Sequence, residues 1–204
     1  MKFIVLSSSR GTTFQSVIDR LNDGTLKMQC LGLISDSADH QCVEKAKHAG
    51  LPVSIVEKLK DEIRDVYDQR MHQAMIKMGG DPADTIIAAM GWMFVLSPSF
   101  IAKWNNRILN VHPALLPKHG GKGMYGSHVH EAVLGAGDSE SGITIHVIDE
   151  GIDTGKILVQ KKCSVLPGDT VQSLQKRVQE LEKEWYPKVL QMIEEGKISL
   201  QEFS

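Results

Sequence analysis

Apolar and polar positions change period several times along this chain. Phe3 to Leu6 is a short apolar run, and the turn Ser7-Ser8-Ser9-Arg10-Gly11-Thr12 stops it at once. Phe14, Val17, Ile18 and Leu21 then recur at i, i+3, i+4 and i+7, the spacing of one helix face. Cys30 to Ile34 reads as a second strand. Asp39 opens a helix carrying Val43, Ala46 and Ala49, which Gly50 ends. Val53 to Val56 is a third strand. A helix is predicted from about Lys60 to Met78, closed by Gly79-Gly80-Asp81-Pro82. Thr85 to Ala89 is apolar without interruption after its first residue, the mark of a strand buried on both faces.

The second half continues the alternation. Phe100 to Trp104 reads as a short helix and Arg107 to His112 as a strand. A Gly- and Pro-rich loop runs from Pro113 to Gly126, and a helix from about His128 to Leu134. Gly142 to Ile148 and Lys156 to Val165 read as strands at hairpin-like spacing. Val171, Leu174, Val178, Leu181, Trp185, Val189 and Met192 form a stripe on a long helix from Thr170 to Glu195. Strands alternating with helices imply right-handed βαβ units and a parallel sheet. The predicted fold is α/β, a single Rossmann-like domain over 1–204. Its twisted sheet has about seven strands, mostly parallel with one late antiparallel strand, and helices on both faces. Ligands of such sheets bind beyond the carboxyl ends of the strands. Three loops fall there: Ser7 to Thr13, Ala89 to Leu96, and His112 onward.

Composition adds little. With 204 residues, 42% apolar and 24% charged, the chain suits one large globular domain, and its formal net charge of -2 gives no case for nucleic acid or membrane surfaces. Cys30, Cys42 and Cys163 are scattered and odd in number, as expected of reduced thiols in a cytoplasmic protein. The N-terminal apolar run is too short for a signal-peptide core, and no apolar stretch approaches the ~20 residues of a membrane span.

Candidate chemistry concentrates in the segment Ile-Leu-Asn-Val-His-Pro-Ala-Leu-Leu-Pro at 108–117. Residues two apart on a strand share a face. Asn110 and His112 therefore point together: a hydrogen-bond donor beside a proton carrier, the pair that suits an oxygen turning negative during acyl transfer. Taken alone, a strand end satisfying local backbone is the plainer reading. The turn at 7–13 offers a helix N-terminus to a phosphate, with Gly11 allowing close approach and Thr12 or Thr13 capping the helix or donating to an oxygen. It is neither a G-x-G-x-x-G nor a P-loop. The loop Met93, Phe94, Val95, Leu96 either packs under a helix or lines a pocket for a flat heterocycle. Asp153, between Gly151 and Gly155, sits in a tight turn; beside an imidazole its carboxylate would raise the imidazole pKa. Arg64 alone reads as a solvated charge. His40, His48 and His72 read as surface residues; His119, His128, His130 and His146 crowd the region of His112, without the spacing of a known zinc motif.

Together these pieces resemble the phosphoribosylglycinamide formyltransferase family from Lys2 to about Met192. The strongest matches are Leu-Asn-Val-His-Pro-Ala-Leu-Leu-Pro-Lys at 109–118, Gly-Ile-Thr-Ile-His-Val-Ile-Asp-Glu-Gly-Ile-Asp-Thr-Gly at 142–155, and the final-helix pattern at 177–187. The resemblance implies formyl transfer from 10-formyltetrahydrofolate to the amine of 5-phosphoribosylglycinamide in purine biosynthesis, without a metal. It implies Asn110, His112 and Asp153 as catalytic residues, with Asp153 keeping the His112 pKa high. Gly11, Thr12, Thr13 and Glu182 would bind the ribonucleotide. Arg64, Met93, Phe94, Val95, Leu96 and Asn110 would bind the folate. It further implies a phosphate-binding half at 1–100 and a folate and catalytic half at 101–204, in a monomer or homodimer. The phosphate turn departs from the family's Ser-Gly-x-Gly-Ser-Asn at Ser9, Thr12 and Thr13; Phe94 replaces a common Arg, and the 118–126 loop is longer than usual. Two alternatives stand beside this reading: a formyltransferase for another amine, such as an amino-sugar nucleotide, and a non-catalytic domain that binds nucleotide or folate.

Overall fold

The computed structural model describes residues 1–200. Strands and helices alternate as β1 (Lys2–Leu6), α1 (Thr12–Asn22), β2 (Gln29–Ser35), α2 (Gln41–His48), β3 (Val53–Ile55), α3 (Arg64–Lys77), β4 (Thr85–Ala89), α4 (Pro98–Lys103) and β5 (Ile108–His112). There follow α5 (Ser127–Gly135), β6 (Glu140–Val147), β7 (Ile157–Ser164) and α6 (Val171–Glu194). The seven strands form one sheet in the order β3-β2-β1-β4-β5-β6-β7. Neighbours from β3 to β5 pair parallel, while β5–β6 and β6–β7 pair antiparallel. Among the described residues only β6 therefore runs against the rest, as expected.

The period-2 pattern of β1 explains why helices cover both faces. Phe3 and Val5 enter one core with Phe14 and Val17 of α1 and with Leu174 and Val178 of α6. Ile4 and Leu6 enter another with Tyr67, Met71 and Met75 of α3 and with Phe100 and Trp104 around α4. Fully burying an aliphatic or aromatic side chain contributes about 1.5–3 kcal/mol, so these two layers hold the sheet from either side. The long α6 is started by a capping box, in which Thr170 and Ser173 exchange side-chain and backbone hydrogen bonds, and Arg177 pairs with Asp169 over its first turns.

Most boundaries differ from the predicted ones by one or two residues, and the start of α3 differs most. The helix expected from Lys60 starts at Arg64 instead. Asp61 takes a left-handed φ of 60°, and the Glu62 carboxylate accepts a hydrogen bond from the Leu59 N–H, so 59–62 forms a turn. No described helix is long and apolar enough to cross a membrane.

Candidate active site

A cavity of about 480 Å³ opens at the carboxyl ends of β1, β4 and β5, where the topology places ligands. Strand alternation delivers its centre. Asn110 and His112 leave β5 on the same face and line the cavity, while Val111 belongs to the core on the other face. The turn after β6 brings Asp153 alongside, with a left-handed φ of 58°. Its Oδ2 lies 3.5 Å from Nδ1 of His112 and accepts a hydrogen bond from the Gly121 N–H at 3.0 Å. The three polar groups picked out in the sequence thus meet in one place.

The hydrogen-bond partners define the tautomers. Nε2 of His112 lies 2.7 Å from the His119 carbonyl, which can only accept, so Nε2 carries a proton. His119 is held in turn by Asp138, 2.7 Å from its Nε2. Across the β5–β6 pairing, Asn110 stands opposite His146, and its Nδ2 donates to His146 Nε2 at 3.2 Å. His146 Nδ1 donates to the Val147 carbonyl at 3.1 Å. His146 is therefore neutral, and its ring orients the Asn110 amide. Sequence reasoning missed this role. The signal, a histidine in Ile-Thr-Ile-His-Val, becomes readable only once the strand register is known.

One electrostatic expectation is corrected. Asp153 pulls the His112 pKa up, but burial acts more strongly and leaves it below the ordinary imidazole value. His112 is only 3% exposed, so water cannot stabilise the imidazolium. At neutral pH it is a neutral ring with an Nε2–H donor, rather than the protonated donor expected from the Asp153 contact.

The turn after β1 forms a second wall. Gly11, at φ 65°, is the N-cap of α1, and no side chain caps this helix, leaving the first N–H groups of the helix open to a ligand. Thr12 and Thr13 lie inside the helix rather than capping it. Both line the cavity; Gly11 does not. A Cβ on Gly11 would come within 2.8 Å of Cys42 Cβ. Thr13 Oγ1 donates to Glu182 Oε2 at 2.9 Å, and burial pushes the Glu182 carboxyl up to about 7. Glu182 lies on α6, so the first and last helices share this wall.

The loop after β4 forms the third wall. Met93, Phe94, Val95 and Leu96 all line the cavity; Leu96 is buried, whereas Met93 and Val95 are exposed. Trp92 stacks parallel to Tyr67 at a centroid distance of 6.4 Å, and Phe94 meets both rings edge-on. Arg64 is not brought to the site: it lies exposed at the start of α3, outside the cavity wall. Among the described residues, no group of three or more His, Cys, Asp or Glu side chains is placed to hold a metal ion.

Comparison with known proteins accords with this geometry. The family model for formyl transferase matches residues 1–190. Phosphoribosylglycinamide formyltransferase of Escherichia coli (strain K12) is 30% identical over 202 residues, covering 99% of this chain and 91% of that protein. The trifunctional purine biosynthetic protein adenosine-3 of Chironomus tentans is 33% identical over 198 residues, which are 96% of this chain but only 14% of that protein. The crystal structure of glycinamide ribonucleotide transformylase 1 from Symbiobacterium toebii superposes with a TM-score of 0.89 at 29% identity, covering 98% of this chain and 90% of that one. Matches that run through every element of the sheet assign the fold and the ancestry together: the chain belongs to the formyl transferase family.

Proposed function

We propose that this protein transfers the formyl group of 10-formyltetrahydrofolate to the amine of 5-phosphoribosylglycinamide, a step of de novo purine biosynthesis. The observation that carries this reading is the meeting of Asn110, His112 and Asp153 at one cavity floor. The phosphate sits at the open N-terminus of α1, against Thr12 and Thr13 with Gly11 at its base. There the exposed N–H groups and the helix dipole favour an anion. Glu182 takes the ribosyl part; a carboxyl whose pKa is about 7 is less repelled by the neighbouring phosphate than an ordinary one. The pterin occupies the space along Met93 to Leu96, and Asn110 touches both ligands. Nothing in this reading uses Arg64. Nucleotide contacts come chiefly from the first half of the chain; Asn110, His112 and Asp153 come from the second.

The chemistry follows from the groups present. The amine attacks the formyl carbon, and negative charge develops on the formyl oxygen. One N–H of the Asn110 amide is engaged by His146, and the other is left for that oxygen. The Nε2–H of His112, which meets the His119 carbonyl at 2.7 Å, turns to the stronger acceptor as charge develops. Each such donor contributes about 3 kcal/mol to lowering the barrier. The growing negative charge also raises the proton affinity of the ring, which takes up the amine proton through a water and then passes it on, and Asp153 favours the imidazolium formed in between. Asp153 and a water carry the amine proton to the departing folate nitrogen. Holding both reactants in one cavity supplies much of the remaining acceleration.

The location proposed is cytoplasmic, with small-molecule partners only and no nucleic acid or membrane. A substrate comparison tests the reading. Protein mixed with 10-formyltetrahydrofolate should release deformylated folate, followed by absorbance, when phosphoribosylglycinamide is supplied. Faster release with an amino-sugar nucleotide would move the activity to the other amine. Binding of both ligands with no release would favour the non-catalytic alternative.

A further inference from the structure

His130 is the histidine of the site that no part of the mechanism above uses. It lies in the first turns of α5, is 2% exposed, and forms part of the cavity wall. Its Nδ1 is buried without a hydrogen-bond partner. Leaving a buried polar atom unpaired is costly, and native interiors rarely keep one without a reason. Burial and the nearby His112 hold the ring well below its ordinary pKa, at about 4, so at neutral pH it is uncharged. An uncharged imidazole can accept a hydrogen bond as well as donate one. It shares the cavity with Thr13 and Glu182 on the nucleotide side and with His112 at the reacting centre.

We propose that His130 contacts the amine substrate, accepting a hydrogen bond from the attacking amino group and turning its lone pair toward the formyl carbon. The inference rests on the formyl-transfer reading and deepens it by naming the group that orients the nucleophile. Asn110 and the Nε2–H of His112 are donors, suited to the formyl oxygen. An amine also needs an acceptor for its N–H, and it must be one that does not hold a positive charge against it. His130 meets both needs: it is uncharged at neutral pH, and its ring forms part of the cavity wall.

The test compares wild type, His130→Leu and His130→Gln in the formyl-transfer assay, with melting temperatures measured alongside. Loss of one neutral hydrogen bond to substrate corresponds to roughly a tenfold effect. His130→Leu should lower kcat/KM for the amine substrate about tenfold or more. Its affinity for 10-formyltetrahydrofolate should stay within about twofold, and its melting temperature should not fall, because the orphaned nitrogen is gone. His130→Gln, which keeps an acceptor, should recover most of the rate. A purely structural histidine predicts the reverse: a lower melting temperature and unchanged kinetics for the leucine variant. That result would overturn the proposal. If neither variant folds, wild-type protein with 15N-labelled histidine decides. An imidazole signal other than those of His112 and His146 should shift when phosphoribosylglycinamide is added with deformylated folate, and its absence would count equally against the proposal. An inactive wild type would sink the formyl-transfer reading itself, a distinct outcome.

Discussion

Asn110 on β5 and His146 on β6 face each other across the antiparallel β5–β6 pairing, with Nδ2 and Nε2 3.2 Å apart. A neutral ring that only accepts from the amide fixes which end of Asn110 is nitrogen. Replacing His146 with Leu removes that acceptor and should lower kcat about tenfold, the effect of a lost orienting hydrogen bond, with a smaller change in either KM. His146→Gln should retain more of the rate. Steady-state kinetics on both variants checks this, and equal rates for wild type and the leucine variant would show that His146 does not orient the amide.

Asp153 and burial act on His112 in opposite directions, and burial dominates. Removing the carboxylate leaves only the lowering influence of burial and of the neighbouring His119 against the His119 carbonyl. In Asp153→Asn the His112 pKa should therefore fall further, and NMR titration of the ring reads this directly. Turnover should fall at least 10²-fold, since the imidazolium formed during reaction loses its counter-charge. A His112 pKa that rises or stays fixed in the variant would show that the 3.5 Å contact is not an electrostatic one.

Stability should depend on pH with a sign set by buried histidines. His112, His130 and His146 all have folded pKa values below the ordinary 6.5, His130 at about 4. The unfolded chain takes up protons first, so their contribution is complete above pH 6.5 and is lost as pH falls toward 4. Glu182 acts oppositely: its carboxyl is raised to about 7, so its contribution is greatest below pH 4.5 and declines as pH rises toward 7. The partly buried His72, also lowered, acts with the three histidines, and Asp68, raised by burial, acts with Glu182, so four groups oppose two and urea midpoints should decrease from pH 6.5 to pH 5. Glu182→Gln should steepen that decrease. A midpoint that rises on acidification over this range would contradict the assignment.

Gly11 holds a left-handed backbone and has Cys42 against the place where a side chain would stand, at 2.8 Å. Gly11→Ala should destabilise the fold by about 1–3 kcal/mol, the usual range for such a strained position. It should also raise KM for the phosphorylated substrate, because the start of α1 shifts. Thermal melting and a KM measurement together check this; a variant with normal values for both would place the phosphate elsewhere.

Much of this was legible before any coordinates. Thr85 to Ala89 was placed to the residue, because a strand buried on both faces leaves an unbroken apolar run. The Asn110–His112 pair was legible because strand alternation requires no tertiary information. Asp153 needed the family resemblance, since its neighbour across space is 41 positions away. His146 was not legible as an orienting group: its partner depends on the β5–β6 register, which no local pattern encodes. The start of α3 at Arg64 rather than about Lys60 was not legible, because the Glu62 carboxylate binds Leu59 N–H and Arg70 and shapes a turn. Arg64 stayed a solvated charge, as its residues alone suggested and the resemblance did not. The direction of the His112 pKa is not legible either, because it is set by depth of burial, which no local pattern encodes.

The central claim is that His112, with Asn110 and Asp153, drives formyl transfer between two small molecules held in one cavity. The most direct measurement supplies 10-formyltetrahydrofolate labelled in the formyl carbon and follows the label into phosphoribosylglycinamide, with wild type and His112→Ala side by side. The label should reach the amine with wild type and do so at least 10²-fold more slowly with His112→Ala, while folate still binds both proteins. Label transfer at the same rate by the two proteins would contradict the account.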